Sequence, residues 1–350
     1  MHYRLALIGF GGVARALVEI LRNKGNELPQ KDGLELSVVA VSDLRLGMAE
    51  DPDGLDLAAL AELPNEPGAL AAFSGGRAEP DNEAVIKRST ADIVVEATFT
   101  NPETGEPALS HCRWALESGK HLVTSNKGPV ALAAAELAKK AEAKRLAFSY
   151  EGTVMSGTPV IRAAKQCLAG CHIAGFRGIL NGTANFVLGQ VEAGASFDDA
   201  IALAQSEGYA EADPTADIGG SDVLMKVVIL ARALFGQDVV ASSVPCRGIT
   251  DLSEAEVRAA KAEGHRWKLV GQGSLAPDGH VALEVAPIML PDSDPLASIE
   301  GPTNALTLDT DLLGPVTVSG PGAGRIETGF ALLADILAIH AQSQPPRYRQ

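Results

Sequence analysis

The sequence predicts an α/β protein of two domains. Residues 1–150 read as a doubly wound parallel sheet, completed by a C-terminal helix at 320–345, and residues 151–319 as an α+β domain with a mixed sheet. Three observations carry this reading. Short Val/Ile/Leu runs alternate with alanine-rich, helix-periodic segments as far as residue 150. Beyond that point the alternation breaks and period-two patterns appear. A chain of 350 residues is also long enough for two separate cores.

The elements of the first domain follow in order. Tyr3–Ile8 is short and apolar, as a buried strand should be. Gly9, Phe10, Gly11 and Gly12 turn the chain, and Val13–Lys24 has helical periodicity through Val13, Leu17, Ile20 and Leu21. Leu36–Val41 is a second strand that ends in Ser42 and Asp43. Strand, glycine turn, helix and strand form the βαβ unit of a Rossmann-type dinucleotide-binding domain. Gly9 permits the tight turn, Gly11 lets a pyrophosphate approach the helix N-terminus, and Ala14 is small enough for close packing. Gly9, Phe10, Gly11, Gly12 and Val13 are therefore candidate cofactor-binding residues. Asp43 suits the adenosine ribose hydroxyls, which favours NAD; the lesser alternative is a strand-end turn residue. Arg45 could instead face a 2′-phosphate, so NADP or NAD stays open.

From Gly47 to Asn82 the chain is rich in Pro, Gly, Asp and Ala, with one short helical pattern near Leu55–Leu63, and reads as an irregular surface connection. Asp92–Ala97 then reads as a strand, His111–Ser118 as a helix, His121–Thr124 as a strand, Ala131–Lys144 as a helix and Arg145–Tyr150 as a strand. Ligands of parallel sheets lie at the C-terminal strand ends. Thr98, Ser125 and Lys127 thus stand where a nicotinamide is expected, although Lys127 also fits a solvated turn that opens a helix.

In the second domain Thr158–Leu168 looks helical, with Pro159 in its first turn. Ile173–Leu180 alternates like an antiparallel strand, and Phe186–Ala193 and Phe197–Glu207 read as helices. Strands follow near Lys268–Gly273, Val281–Ile288 and Ala305–Leu308, and the glycine turn 320–324 opens an apolar helix, Glu327–Ala341, that returns to the first domain. Between them, Asp222 and Lys226 are four residues apart in an apolar run. If Ser221 caps a helix there, the pair shares one face. A lysine among Val223, Met225, Val227, Ile229 and Leu230 is poorly solvated, which favours the neutral amine, while Asp222 favours the charged form. The pair reads either as a proton-transfer site or as a buried ion pair that locks two elements.

A formal charge of −15 argues against nucleic acid or an anionic membrane as partner. Glycines interrupt the N-terminal apolar stretch too early for a signal peptide, and no apolar run reaches the roughly 18 residues that span a bilayer. Cys112, Cys167, Cys171 and Cys246 fit a reducing, cytoplasmic setting without disulfides. Cys167 and Cys171 have no second Cys/His pair to complete a zinc site.

Six stretches in this order resemble homoserine dehydrogenases and cover nearly the whole chain. They are the N-terminal glycine turn, T-S-N-K at 124–127, Y-E-G-T-V-M-S-G-T-P at 150–159, G-I-L-N-G-T-A-N-F at 178–186, the D-x-x-x-K at 222–226, and G-P-G-A-G at 320–324. The resemblance implies NAD(P)-dependent interconversion of L-aspartate 4-semialdehyde and L-homoserine, a step of threonine and methionine biosynthesis. It also implies a homodimer whose second domain serves both catalysis and dimerisation. Lys226 would exchange the proton, Asp222 would orient it, and Lys127 would lie near the nicotinamide. The resemblance further implies Glu211, Asp217, Asp222 and Thr183 as substrate-binding residues, and Gly208 and Gly322 as points of close cofactor approach.

Glu151, with carbonyls at Val154, Ser156 and Thr158, falls where the family places a monovalent cation, Na or K. Glu151 alternatively caps the next helix, and Met155 and Ser156 depart from the small residues many members carry there. The resemblance extends to neither a C-terminal regulatory domain nor a kinase segment, so feedback through such a domain is not expected. A related oxidoreductase for another small amino or hydroxy acid fits the same machinery. A nucleotide sensor without turnover would not need Lys127, Glu211, Asp222 and Lys226 together.

Overall fold

A computed structural model describes residues 1–343, so the expected helix end at 345 lies outside the described residues. The chain folds into two units, Met1–Thr153 joined by the segment from Gly324 onward, and Val154–Ala323.

The first unit is built on β1 (His2–Ile8), β2 (Glu35–Asp43), β3 (Gly47–Glu50), β4 (Ile93–Glu96), β5 (His121–Thr124) and β6 (Phe148–Ser149), in the spatial order β3-β2-β1-β4-β5-β6. All neighbours are parallel except β2 and β3. Leu5, Ala6, Leu7 and Ile8 of β1 are fully buried. This is what a central strand covered on both faces requires, and it explains an apolar run without alternation. One face packs Leu17 and Leu21 of the helix Gly12–Lys24 with Leu332 and Ile336 of the helix Arg325–Ser343. The other packs Cys112, Leu116 and Leu137 from the helices Ala108–Glu117 and Lys127–Ala143.

Three local expectations change here. Gly47–Glu50 is a strand in the stretch read as irregular, since four residues are too few to display a period. The expected strand Arg145–Tyr150 shrinks to Phe148–Ser149. The helix expected from Ala131 begins at Lys127, and Ala133 (φ −143°) breaks it.

In the second unit β7 (Ile173–Ile179), β8 (His265–Leu275), β9 (Val281–Pro291), β10 (Thr303–Thr310) and β11 (Gly314–Pro321) lie in the order β11-β10-β7-β8-β9. The expected mixed sheet is corrected: its four ladders are antiparallel. The strand β11 is an addition to the expected elements: its end, Gly320 and Pro321, falls in the stretch 320–324 that reads as a glycine turn. The expected helix Thr158–Leu168 is one α-turn, Val160–Arg162, that widens to π-type bonding over Ala163–Cys167. The helix Ser221–Leu230 packs flat on β8. A Cβ on Gly271 would lie 2.5 Å from Val227 and 2.7 Å from Val223, so only glycine admits this approach.

Lys268 of β8 is buried, with Nζ donating to Asn185 Oδ1 (3.0 Å) and to the Ile299 carbonyl (2.5 Å). Burial pulls its amine down to about 8, against the attraction of Glu192. A folded-state value below the ordinary 10.5 means that the buried charge costs stability below pH 8 and that this cost disappears as the pH rises from about 8 to 10.5. The urea midpoint of the wild type should therefore gain on that of Lys268→Met across this window. A constant difference between the two would refute the assignment.

Candidate active site

In the first unit the glycine turn follows β1 directly. Gly9 (φ +84°) donates its N–H to the Ser42 carbonyl (2.8 Å), and a Cβ there would lie 2.8 Å from the Ala97 carbonyl oxygen. Gly11 precedes the helix Gly12–Lys24; no side chain caps that helix, and nothing stands within 4 Å of where a Gly11 Cβ would be. Open space in front of an uncapped helix N-terminus fits a pyrophosphate. Gly12 has a different reason: its Cβ would strike Arg325. Phe10 is buried and Val13 half-buried.

Asp43 closes this cradle. Its Oδ2 accepts from Phe10 N–H (2.8 Å), and its Oδ1 accepts from the N–H groups of Arg45 (2.9 Å) and Leu46 (3.1 Å). The strand-end turn and the ribose roles are thus compatible, since Oδ2 keeps a lone pair. The Arg45 guanidinium docks on the Asn65 carbonyl. Arg15 lies over the Phe10 ring and donates to the Leu63 carbonyl (2.6 Å).

At the far rim Thr98 is half-buried, and Ser125 and Asn126 connect β5 to the helix that Lys127 opens. Asn126 caps that helix through Gly128 N–H (3.0 Å) and also holds the carbonyls of Thr98 (3.1 Å) and Phe99 (3.0 Å).

The second unit gathers a compact polar cluster. Lys226 is 7% exposed, and its Nζ donates to Asp222 Oδ2 (2.7 Å) and to the Leu180 carbonyl (2.6 Å). The cap of this helix is Gly220 in the left-handed region (φ 86°), not Ser221, whose hydroxyl turns back to the Ala216 carbonyl (3.3 Å). Asn181, of the stretch 178–186, holds the cluster together: its Nδ2 donates to Asp217 Oδ1 (2.7 Å) and Asp222 Oδ2 (2.9 Å), while its Oδ1 caps the helix Gly182–Glu192. Burial and, more weakly, the Asp222 charge raise the Asp217 carboxyl above its ordinary value, against the Asn181 hydrogen bond. Two carboxylates against one ammonium leave this pocket with an excess negative charge, suited to a cationic amino group.

Other expected residues are placed differently. Thr183, in the first turn of the helix Gly182–Glu192, directs its hydroxyl to the Tyr209 carbonyl (2.7 Å) and also adjoins the Asp217 carboxyl, which its hydroxyl helps to hold ionised. Gly208 (φ +76°) follows the helix Phe197–Ser206 and donates to the Gln205 carbonyl; helix termination accounts for it, and its surroundings are open. Glu211 is exposed, and no hydrogen bond joins its carboxylate to the cluster. Gly322 is required by close packing, because a Cβ would lie 2.0 Å from the buried Asn304 amide.

The cation candidates fall in both units. Glu151 is buried, and its backbone N–H donates to Asp335. Val154 and Ser156 are buried, and Met155 (φ 56°) and Ser156 (φ 53°) are both left-handed, a conformation that glycine would adopt more cheaply. Thr158 donates its hydroxyl to the Pro321 carbonyl (2.9 Å), and its own carbonyl accepts from Val160. Among the described residues no group of three His, Cys, Asp or Glu could hold a metal, and no helix is long and apolar enough to cross a membrane.

Residues 9–151 match the family described as homoserine dehydrogenase, NAD binding domain, and residues 159–337 match homoserine dehydrogenase itself. The NAD(+)-dependent homoserine dehydrogenase of Pseudomonas canavaninivorans is 54% identical over 97% of this chain and 96% of its own. The homoserine dehydrogenase of Methanocaldococcus jannaschii is 38% identical over 96% of this chain and 98% of its own. A hyperthermophilic archaeal homoserine dehydrogenase solved in complex with NADPH superposes with a TM-score of 0.83 at 29% identity, over 99% of this chain and 100% of that one. Matches of this length do not favour an oxidoreductase for a different acid or a sensor without turnover.

Proposed function

Because the chain belongs to the homoserine dehydrogenase family, and is thus an NAD(P)-dependent oxidoreductase acting on a CH–OH group, we propose how its own residues carry out that reaction. Lys226 exchanges the proton with the substrate oxygen. One observation carries this assignment: two of the three ammonium donors are taken, by Asp222 and the Leu180 carbonyl, and the third remains for an oxygen. In reduction the ammonium stabilises the oxyanion that forms at the aldehyde and then protonates it; in oxidation the neutral amine takes the hydroxyl proton. Asp222 holds Lys226 in place, and Asn181 holds Asp222 and Asp217 in register. Asp217 supplies the negative partner for the substrate's amino group. Thr183 fixes the Tyr209 turn and adjoins the Asp217 carboxyl, and Glu211 joins the substrate only through movement of its exposed loop. Lys127, at the head of its helix, lies at the nicotinamide end of the rim.

A bound nicotinamide supplies the hydride acceptor and donor. The open Gly11 turn and the uncapped helix behind it support pyrophosphate binding there. The Asp43 carboxylate and the withdrawn Arg45 guanidinium support a preference for NAD over NADP, since a 2′-phosphate would meet a negative charge. Asp43→Ala should weaken NAD by about tenfold and NADP much less, read as the two KM values. Equal losses would refute the ribose role. A homodimer and a monovalent cation near Glu151 rest on the family resemblance, and a cytoplasmic setting rests on the acidic charge and the cysteine usage.

The deciding experiment is oxidation of L-homoserine at alkaline pH with NAD and NADP in parallel, followed by absorbance of the reduced nicotinamide. Turnover selective for homoserine over L-serine and L-threonine is the expected result. Tight cofactor binding without homoserine turnover would refute the reading.

A further inference from the structure

Beneath the rim of Thr98 and Lys127 lies a carboxylate that the proposed chemistry does not use. Glu96, the last residue of β4, is fully buried. Its Oε1 accepts from the N–H of Thr98 (3.1 Å), from the Thr98 hydroxyl and from His111 Nδ1 (3.5 Å), and its Oε2 (3.2 Å) shares the Thr124 hydroxyl hydrogen with the Glu96 main-chain carbonyl (3.0 Å). Burying a carboxylate is costly even when donors surround it. An apolar side chain would fill the same space at lower cost, so the geometry that the carboxylate enforces is the feature to explain.

That geometry is a closed ring. Glu96 grips Thr98 and Thr124. Thr98 in turn receives Asn126 Nδ2 on its carbonyl (3.1 Å), and Thr124 receives Asn126 N–H on its hydroxyl oxygen (3.0 Å). Asn126 then caps the helix that starts at Lys127. Four residues from the ends of two adjacent strands are thereby fixed as one body, which includes Thr98 and brackets Ser125 and the start of the Lys127 helix, the three residues expected at the nicotinamide. On its other side the carboxylate meets His111, whose Nε2 accepts from Asn82 Nδ2 (3.0 Å), while Asn82 Oδ1 takes the hydroxyl of the buried Ser42 (2.6 Å). A chain of hydrogen bonds thus runs under the sheet's C-terminal edge from the residue beside Asp43 to the residue before Lys127.

We propose that Glu96 is a positioning residue for hydride transfer: the ring Glu96–Thr98–Asn126–Thr124 sets Thr98 and the head of the Lys127 helix against the nicotinamide. The inference rests on the dehydrogenase reading above. In Glu96→Gln the amide NH2 faces either the Thr98 amide, which can only donate, or Thr124, whose hydroxyl can accept it while donating to the main-chain carbonyl of residue 96; in both cases the charge that draws Thr98, Thr124 and His111 together is lost.

The test compares wild type, Glu96→Gln, Glu96→Asp and Thr124→Val in homoserine oxidation, with C4-deuterated homoserine to report on the hydride step. Glu96→Gln should lower kcat by about tenfold to 100-fold with KM for homoserine within about threefold, and should raise the isotope effect on kcat. Glu96→Asp, which keeps the charge, should recover part of the loss. A merely structural role would lower the melting temperature or the yield and leave the isotope effect and the KM-against-kcat split unchanged. Folded Glu96→Gln with wild-type kcat and isotope effect overturns the proposal. If that variant does not fold, Thr124→Val, which removes one hydroxyl and keeps the shape, decides: about threefold to tenfold lower kcat with a raised isotope effect is expected, and wild-type values overturn it. Wild type without homoserine turnover would refute the dehydrogenase reading instead. NADH fluorescence titration, expected to be severalfold weaker in Glu96→Gln or Thr124→Val, would then decide on the ring alone.

Discussion

Lys226→Ala is expected to lower kcat for homoserine oxidation by about two to four orders of magnitude while leaving NAD affinity within a few-fold of wild type. The size follows from the site's geometry. Lys226 Nζ is held at 2.7 Å from Asp222 and 2.6 Å from the Leu180 carbonyl, so its remaining N–H has one direction in which to act. Alanine removes the proton carrier and also the positive charge that offsets Asp222 and Asp217. The oxyanion of the reaction would then form near two carboxylates without the Lys226 ammonium to stabilise it, a loss felt chiefly in the transition state. Lys226→Arg should fail to restore turnover, because a guanidinium keeps its proton at any working pH. Stopped-assay kinetics alongside an NADH fluorescence titration separates the two effects. Undiminished turnover in Lys226→Ala would remove this residue from the mechanism.

The Lys226–Asp222 contact was legible because both residues lie on one helix, where a spacing of four residues already implies proximity. The same holds for the cradle, since Gly9, Gly11 and Asp43 sit in a local strand-turn-helix-strand pattern. What joins distant segments left no such trace. Asn181 bridges Asp217 and Asp222 from 36 and 41 residues away, and its sequence neighbours Gly182 and Thr183 suggest only a turn. Thr183 and Gly208 are explained by packing and by helix termination, which are tertiary and local backbone facts that a motif does not separate from ligand contact. Glu96 did leave a signal: an acid at the end of the apolar run I-V-V-E, on a strand expected to be buried, has to find donors inside the protein. The antiparallel second sheet was misjudged because strand direction depends on partners brought together across more than a hundred residues, as in the pairing of β7 with β10.

Gly9→Ala and Gly11→Ala should fail in opposite ways, although both change one glycine of the same turn. Gly9 adopts φ +84°, and its Cβ would meet the Ala97 carbonyl oxygen at 2.8 Å and Thr98 N at 2.9 Å. Both obstacles are backbone at the end of the neighbouring strand, which cannot move without disturbing the β1–β4 ladder. The left-handed conformation and the overlap together should cost about 2–5 kcal/mol, enough to lower the melting temperature by several degrees and to lose cofactor as a consequence. Gly11 has an ordinary φ of −79° and no atom within 4 Å of the added methyl, so Gly11→Ala should fold with an unchanged melting temperature. The methyl would instead occupy the space in front of the helix N-terminus, where the pyrophosphate is expected, and NAD affinity should fall by at least about tenfold. Thermal melts with and without NAD distinguish the two variants. Wild-type NAD affinity in folded Gly11→Ala would mean that the pyrophosphate lies elsewhere, and that the open space at this turn has another cause.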